Sequence, residues 1–130
     1  MSNAANYIKK WHEVILEGKM ELLDNLLNDN ATFYSPVVFT PLEGKEITKM
    51  YLSAAGLSFN MDSFKYMREV NDGNYSVLEF ETTIDGISVN GVDMIEWDDD
   101  GKIVNFKVMI RPFKAVEIVR AKMVEALEQI

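Results

Sequence analysis

Apolar positions recur at helical spacing through the first part of the chain and at strand spacing through most of the second. Ile8, Trp11, His12 and Ile15 fall at i, i+3, i+4 and i+7, a single stripe that predicts a helix from about Asn3 to Leu16. Gly18 stands where a helix C-terminus favours a left-handed residue. Leu22, Leu23, Leu26 and Leu27 predict a short second helix over Met20 to Leu27, ended by Asn28-Asp29-Asn30. Ala31 to Ser35 reads as extended, and Pro36 and Pro41 bracket an apolar loop of Val37, Val38, Phe39 and Thr40. A third helix is predicted over about Lys45 to Leu57, with Ile47, Met50, Tyr51 and Ala54 facing inward.

The period then changes. Four strands are predicted at Phe64–Val70, Tyr75–Ile84, Ile87–Trp97 and Lys102–Ile110. Asn71-Asp72-Gly73-Asn74, Asp85-Gly86 and Asp98-Asp99-Asp100-Gly101 separate them, and each tolerates the positive φ of a tight hairpin. Leu78, Phe80, Thr82 and Ile84 share one face, while Glu79, Glu81 and Thr83 take the other. In the last strand Phe106, Val108 and Ile110 oppose Asn105, Lys107 and Met109. After Pro112 a final helix is predicted to run to the C-terminus, with a stripe of Val116, Val119, Met123, Ala126 and Ile130. Helices followed by an antiparallel meander define an α+β fold. Curved strongly, that sheet would form a cone-shaped half-barrel wrapped around the first and third helices, leaving a conical cavity.

Composition narrows the chemistry. The 130 residues suit one domain, 1–130, and carry a net charge of −8, which disfavours duplex nucleic acid or an anionic membrane as partner. With no Cys and one His, a disulfide framework, a zinc-thiolate site and a His-rich metal site are excluded. No glycine-rich phosphate cradle appears, so neither a cofactor nor a bound metal is expected. No apolar run approaches the roughly 18 residues a membrane span needs. Met1 to Asn6 lacks the basic-then-apolar order of a secretory signal, Ser2-Asn3-Ala4 reads as unstructured, and a cytoplasmic location is expected.

The stretch Asn90-Gly91-Val92-Asp93-Met94-Ile95-Glu96-Trp97 is the most informative chemically. Alternation that turns Ile95 and Trp97 inward turns Asp93 inward too. A carboxyl there must find donors or hold its proton, and a neutral Asp can donate to a developing oxyanion. The plainer alternative pairs Asp93 with Arg111 or uses it as a turn cap. His12, the one side chain with an ordinary pKa near neutrality, is either a general base or a helix-edge residue with a carboxylate or backbone partner. Tyr51 either hydrogen-bonds a ligand or packs as a core aromatic. Arg111 either holds a substrate carboxylate at the cavity mouth or makes an ordinary salt bridge. Met50, Met61, Met67, Met94 and Met109 would supply an adaptable lining or a dimer surface. Asp98-Asp99-Asp100-Gly101 lacks the spaced ligands of a calcium loop.

Trp11…Gly18, Asp29-Asn30-Ala31-Thr32, Ser35-Pro36, Glu43-Gly44, Val92-Asp93-Met94-Ile95 and Asp100-Gly101-Lys102-Ile103-Val104 together resemble the nuclear transport factor 2-like superfamily. More narrowly, the chain is similar to SnoaL-like polyketide cyclases and ketosteroid isomerases over roughly residues 5 to 112. Residues 113–130 form an added C-terminal helix beyond that core. The resemblance places the oxyanion-hole Asp on Asp93, the general-base Asp on Ser35, and the oxyanion-hole Tyr on Trp11. The two supporting tyrosines fall on Leu27 and Leu52, and the cyclase Asp on Val108. A serine without a basic neighbour cannot abstract a carbon-bound proton at neutral pH, so steroid-type isomerisation is disfavoured.

Two functions follow from these residues. In the first, a small hydrophobic carbonyl- or hydroxyl-bearing molecule sits in an apolar cone, and the protein is a binder or an isomerase, cyclase or hydratase. Asp93, His12 and Tyr51 would be its catalytic groups, and Trp11, Ile15, Phe33, Ser35, Phe80, Ile95, Phe106, Val108 and Arg111 its ligand contacts. In the second, the protein is a non-enzymatic carrier or a dimeric scaffold whose cone is filled by its own side chains. The resemblance suggests a homodimer through the outer sheet face. A cavity of a few hundred Å³ reaching Asp93 would favour ligand binding.

Overall fold

The computed structural model describes residues 3–129. Helix α1 (Ala4–Leu16) is followed by a 3₁₀ turn (Met20–Leu22), α2 (Leu23–Leu26), β1 (Leu27–Tyr34), β2 (Leu42–Glu43) and α3 (Lys45–Ser58). Strands β3 (Lys65–Asp72), β4 (Tyr75–Ile84), β5 (Ile87–Trp97) and β6 (Ile103–Arg111) lead to the terminal helix α4 (Phe113–Glu128). The six strands make one open, curved sheet in the order β2-β1-β6-β5-β4-β3. The four long strands form the expected antiparallel meander, with Leu78 opposite Asp93 and Asp93 opposite Val108. The sheet as a whole is mixed, because β1 lies parallel to β6, with Phe33 beside Phe106. No helix among the described residues is long and apolar enough to cross a membrane.

The hairpins form where the turn chemistry places them. Asp85 and Gly86 both take positive φ, 50° and 79°, as a two-residue hairpin requires. Alternation holds along the strands: Leu78, Phe80, Thr82 and Ile84 are buried on β4, and Val89, Gly91, Asp93, Ile95 and Trp97 on β5. Gly91 gives the sheet room to carry an aromatic core. A Cβ there would strike the Phe80 ring and lie 2.8 Å from the Met109 carbonyl oxygen.

Several expectations about elements are corrected. The second helix stops at Leu26, and Leu27 already opens β1, since a run of leucines serves a buried strand as well as a helix. Two residues after Pro41 form the short strand β2, paired with β1 through Thr32 and Phe33. Ala4 is neither unstructured nor exposed: it begins α1, and its N–H donates to the Gly73 carbonyl at 3.0 Å. Ser2 and Ile130 lie outside the described residues. The buried face of α3 carries Thr48, Leu52, Ala54 and Ser58, with Ile47 and Met50 only half-buried. Thr48 and Ser58 tolerate burial because their hydroxyls donate to the carbonyls of Ala31 (3.2 Å) and Ala54 (2.7 Å).

Helix α4 packs on α3 and crosses to β5 and β6. Its buried residues are Ala115, Val119, Met123 and Ala126, of which Ala115 replaces the predicted Val116. The added helix therefore buries its apolar stripe within its own chain, against α3 and the sheet.

Candidate functional site

Asp93 sits at the centre of β5 on the concave face, 5% exposed, between the rows set by Leu78 and Val108. Among the described residues its one side-chain partner is Tyr66 of β3, whose hydroxyl donates to Oδ2 at 2.7 Å. The Tyr66 oxygen in turn accepts the indole N–H of Trp11 at 2.9 Å. Trp11, Tyr66 and Asp93 thus form a directed chain of donors ending on the carboxyl group.

Burial without a cation is costly to a carboxylate. It pushes the Asp93 pKa up from 3.8 to about 7, and the Tyr66 hydrogen bond offsets only part of that rise. Burial, and then the neighbouring Asp93 carboxylate, hold the Tyr66 phenol well above its usual range. Near neutrality Asp93 therefore exists in both forms. One accepts a hydrogen bond; the other also donates one.

The carboxyl faces an apolar cavity walled by Trp11, Ile15, Phe33, Phe106 and Val108 from the predicted lining. Pro36, Leu52, Ala55, Phe59, Phe64, Val119 and Met123 complete the wall. The aromatic members brace one another, with the Trp11 and Phe106 rings edge-on at 4.8 Å and Phe33 6.0 Å from Phe106. The cavity measures about 30 Å³, far below the expected few hundred, because α4 closes it and side chains fill it. That is space for about one water molecule.

The remaining site candidates lie elsewhere. Phe80 and Ile95 are fully buried core residues outside the wall, Phe80 being stacked on Phe64 at 5.1 Å. Ser35 does not reach the cavity; its Oγ accepts the Val37 N–H at 3.1 Å, and Pro36 takes the wall position. Tyr51 is half-buried beside Phe33, with ring centroids 5.9 Å apart, outside the lining. His12 stands at the edge of α1, with Nε2 2.6 Å from Glu69 Oε1. Arg111 is on the opposite face of the sheet from Asp93, because Lys107, Met109 and Arg111 alternate outward with the inward Phe106 and Val108, and it donates to Asn90 Oδ1 at 3.3 Å. It neither guards the cavity mouth nor pairs with Asp93.

Tyr66 was absent from the predicted site, although Phe64 and Tyr66 alternate with the exposed Lys65 in the sequence. A register shift between Tyr66 and Arg68 breaks the period, leaving Met67, Arg68, Glu69 and Val70 all exposed, so the strand shows no continuous inner face.

Four helices packed on a curved, unclosed six-stranded mixed sheet are the nuclear transport factor 2-like fold. Within that class the chain belongs to the SnoaL-like domain family, whose model matches residues 8–106. Among solved structures it is similar to a steroid delta-isomerase from Pseudomonas aeruginosa, at 34% identity and a TM-score of 0.92, over 99% of this chain and 94% of that one. It also resembles an uncharacterized protein with a cystatin-like fold from Silicibacter pomeroyi (28% identity, TM-score 0.84, 92% and 83% covered). A nuclear transport factor 2-like protein of unknown function from Mesorhizobium loti shares the fold at 17% identity, with a TM-score of 0.73 and 84% and 91% covered. No curated protein matches the chain.

Proposed function

We propose that this protein binds a small, neutral, mostly apolar molecule bearing one carbonyl or hydroxyl group, with Asp93 as its anchor. The carrying observation is the buried Asp93 carboxyl, facing the cavity with Tyr66 as its one side-chain partner among the described residues. Such a group weakens a fold, so a binding role accounts for its place better than a structural one. Protonated, it donates to a carbonyl oxygen and polarises it; ionised, it accepts from a hydroxyl. Tyr66 and Trp11 orient it for either task.

The proposal stops short of steroid double-bond isomerisation, the activity in the name of the Pseudomonas relative. Moving a proton between carbons needs a base beside the substrate. The position where the resemblance expects that base holds Ser35, whose oxygen accepts a backbone N–H. Polarisation by Asp93 would serve a cyclase or hydratase step as well as simple carriage. The small cavity volume favours a second reading, in which the cone is solid packing and the protein is a scaffold.

A titration separates the two. The Asp93 carboxyl carbon is followed by NMR across pH in the presence and absence of cyclohexanone and phenol. Under the binding reading its titration midpoint lies near neutrality and either compound displaces it, whereas Asp93→Asn weakens binding at least tenfold. An undisturbed midpoint with both compounds establishes the scaffold.

We also propose that two copies pair through the outer sheet face. Val70, Val77 and Met94 form a cross-strand row there, beside Met109, and all four are substantially exposed. Arg68 paired with Glu79, together with Lys107, Glu96 and Arg111, puts both signs of charge around the row, as self-pairing needs.

A further inference from the structure

We infer that Met123 is the size gate of the Asp93 cavity, admitting a molecule with a single ring and refusing fused polycycles. The inference rests on the reading of Asp93 as a ligand anchor and adds what class of ligand the anchor takes. At about 30 Å³ the cavity has no room for any ring, so a ligand is accommodated only if part of the wall yields. An apolar cavity of about 150 Å³ holds one benzene ring, which is what removing one large side chain opens.

The wall has one element suited to yielding. Trp11, Phe33 and Phe106 are locked ring against ring on three different elements. Met123 has three rotatable side-chain bonds and no branch, and it repacks at little cost. Its sulfur lies 3.5 Å from the Ser58 hydroxyl, but that hydroxyl has one proton and a better acceptor in the Ala54 carbonyl at 2.7 Å. The sulfur is therefore held loosely. The helix beneath it is not: the neighbouring Lys122 is paired with Asp85 at 3.1 Å, and Ala115, Val119 and Ala126 pack closely. Of these only Val119 also lines the cavity, and its branched side chain is short and stiff, so Met123 is the part of α4 that can yield. Its displacement frees space for one ring between the aromatic wall and α4, with the ring's oxygen on Asp93. Room for several fused rings would require the aromatic wall itself to part.

The test uses three phenols of one, two and four fused rings: phenol, 2-naphthol and 1-hydroxypyrene. Binding is read at the Trp11 indole N–H resonance, which reports the cavity and not the outer face. In the wild type, phenol shifts that resonance with an affinity at least tenfold above that of 1-hydroxypyrene. Met123→Ala admits 2-naphthol at least tenfold more tightly than the wild type does. Met123→Ile keeps the volume but stiffens the side chain, so phenol binding weakens at least tenfold. The Ile variant decides the matter alone if the Ala variant does not fold. Equal affinities across the three phenols in the wild type, or an unchanged size ranking in the variants, overturn the gate and leave Asp93 as anchor. If no phenol moves the Trp11 resonance in any form of the protein, the anchor reading itself falls.

Discussion

Between about pH 4 and pH 7 the folded chain holds the Asp93 proton more firmly than the unfolded chain does, because its pKa is raised from 3.8 to about 7. The stabilisation from that proton is complete below pH 4, erodes as pH rises toward 7, and changes no further above it. The difference across this window is on the order of 4 kcal/mol. Asparagine is neutral throughout, so Asp93→Asn is expected to gain stability relative to the wild type as pH climbs from 4 to 7. Urea unfolding at pH 4, 5.5, 7 and 8 measures this. A constant difference between the two proteins would mean that Asp93 is not desolvated. Tyr66 is the complementary case: Tyr66→Phe leaves both the Trp11 N–H and Asp93 without their partner, and a loss of about 2 kcal/mol is expected in the same assay.

At the scale of elements, β5 is where sequence and packing agree best. Strict alternation in the sequence turns Asp93 inward, and Gly91 shares that face because Phe80 occupies the space its side chain would need. Gly91→Ala is expected to cost about 3 kcal/mol, since the Met109 backbone carbonyl cannot move aside as a side chain could. Chemical denaturation detects it; a loss under 1 kcal/mol would show that the strand pair breathes. Helix α3 was read less well. Its inner face includes Thr48 and Ser58, which are satisfied by backbone carbonyls and so invisible to a pattern of apolar residues. Tyr66 was hidden by the irregular register of β3, and the cavity volume by the way α4 folds back over the cone. Pattern reveals which way a side chain points along a regular element. It does not reveal where an element is irregular or how deeply another covers it.

For the whole molecule, the face proposed for pairing lies on the opposite side of the sheet from the Asp93 cavity. If two copies meet on Val70, Val77 and Met94, the 14.9 kDa chain is expected to run at about twice that mass in light scattering. Val77→Glu puts a carboxylate from each copy into the contact and is expected to return the mass to that of one chain while leaving the fold intact. A monomeric wild type at tens of micromolar would leave that face without its proposed partner.

The parallel seating of β1 beside β6 bears on how the chain is made. Leu27 leaves the ribosome long before Ile103, its neighbour in the finished sheet. Throughout that interval the inner edge of β1 lacks its final companion, a long-range pairing of the kind that slows folding. The inner edge of β1 therefore waits for the last strand of the chain, although β1 itself can already pair with β2 and pack on α3.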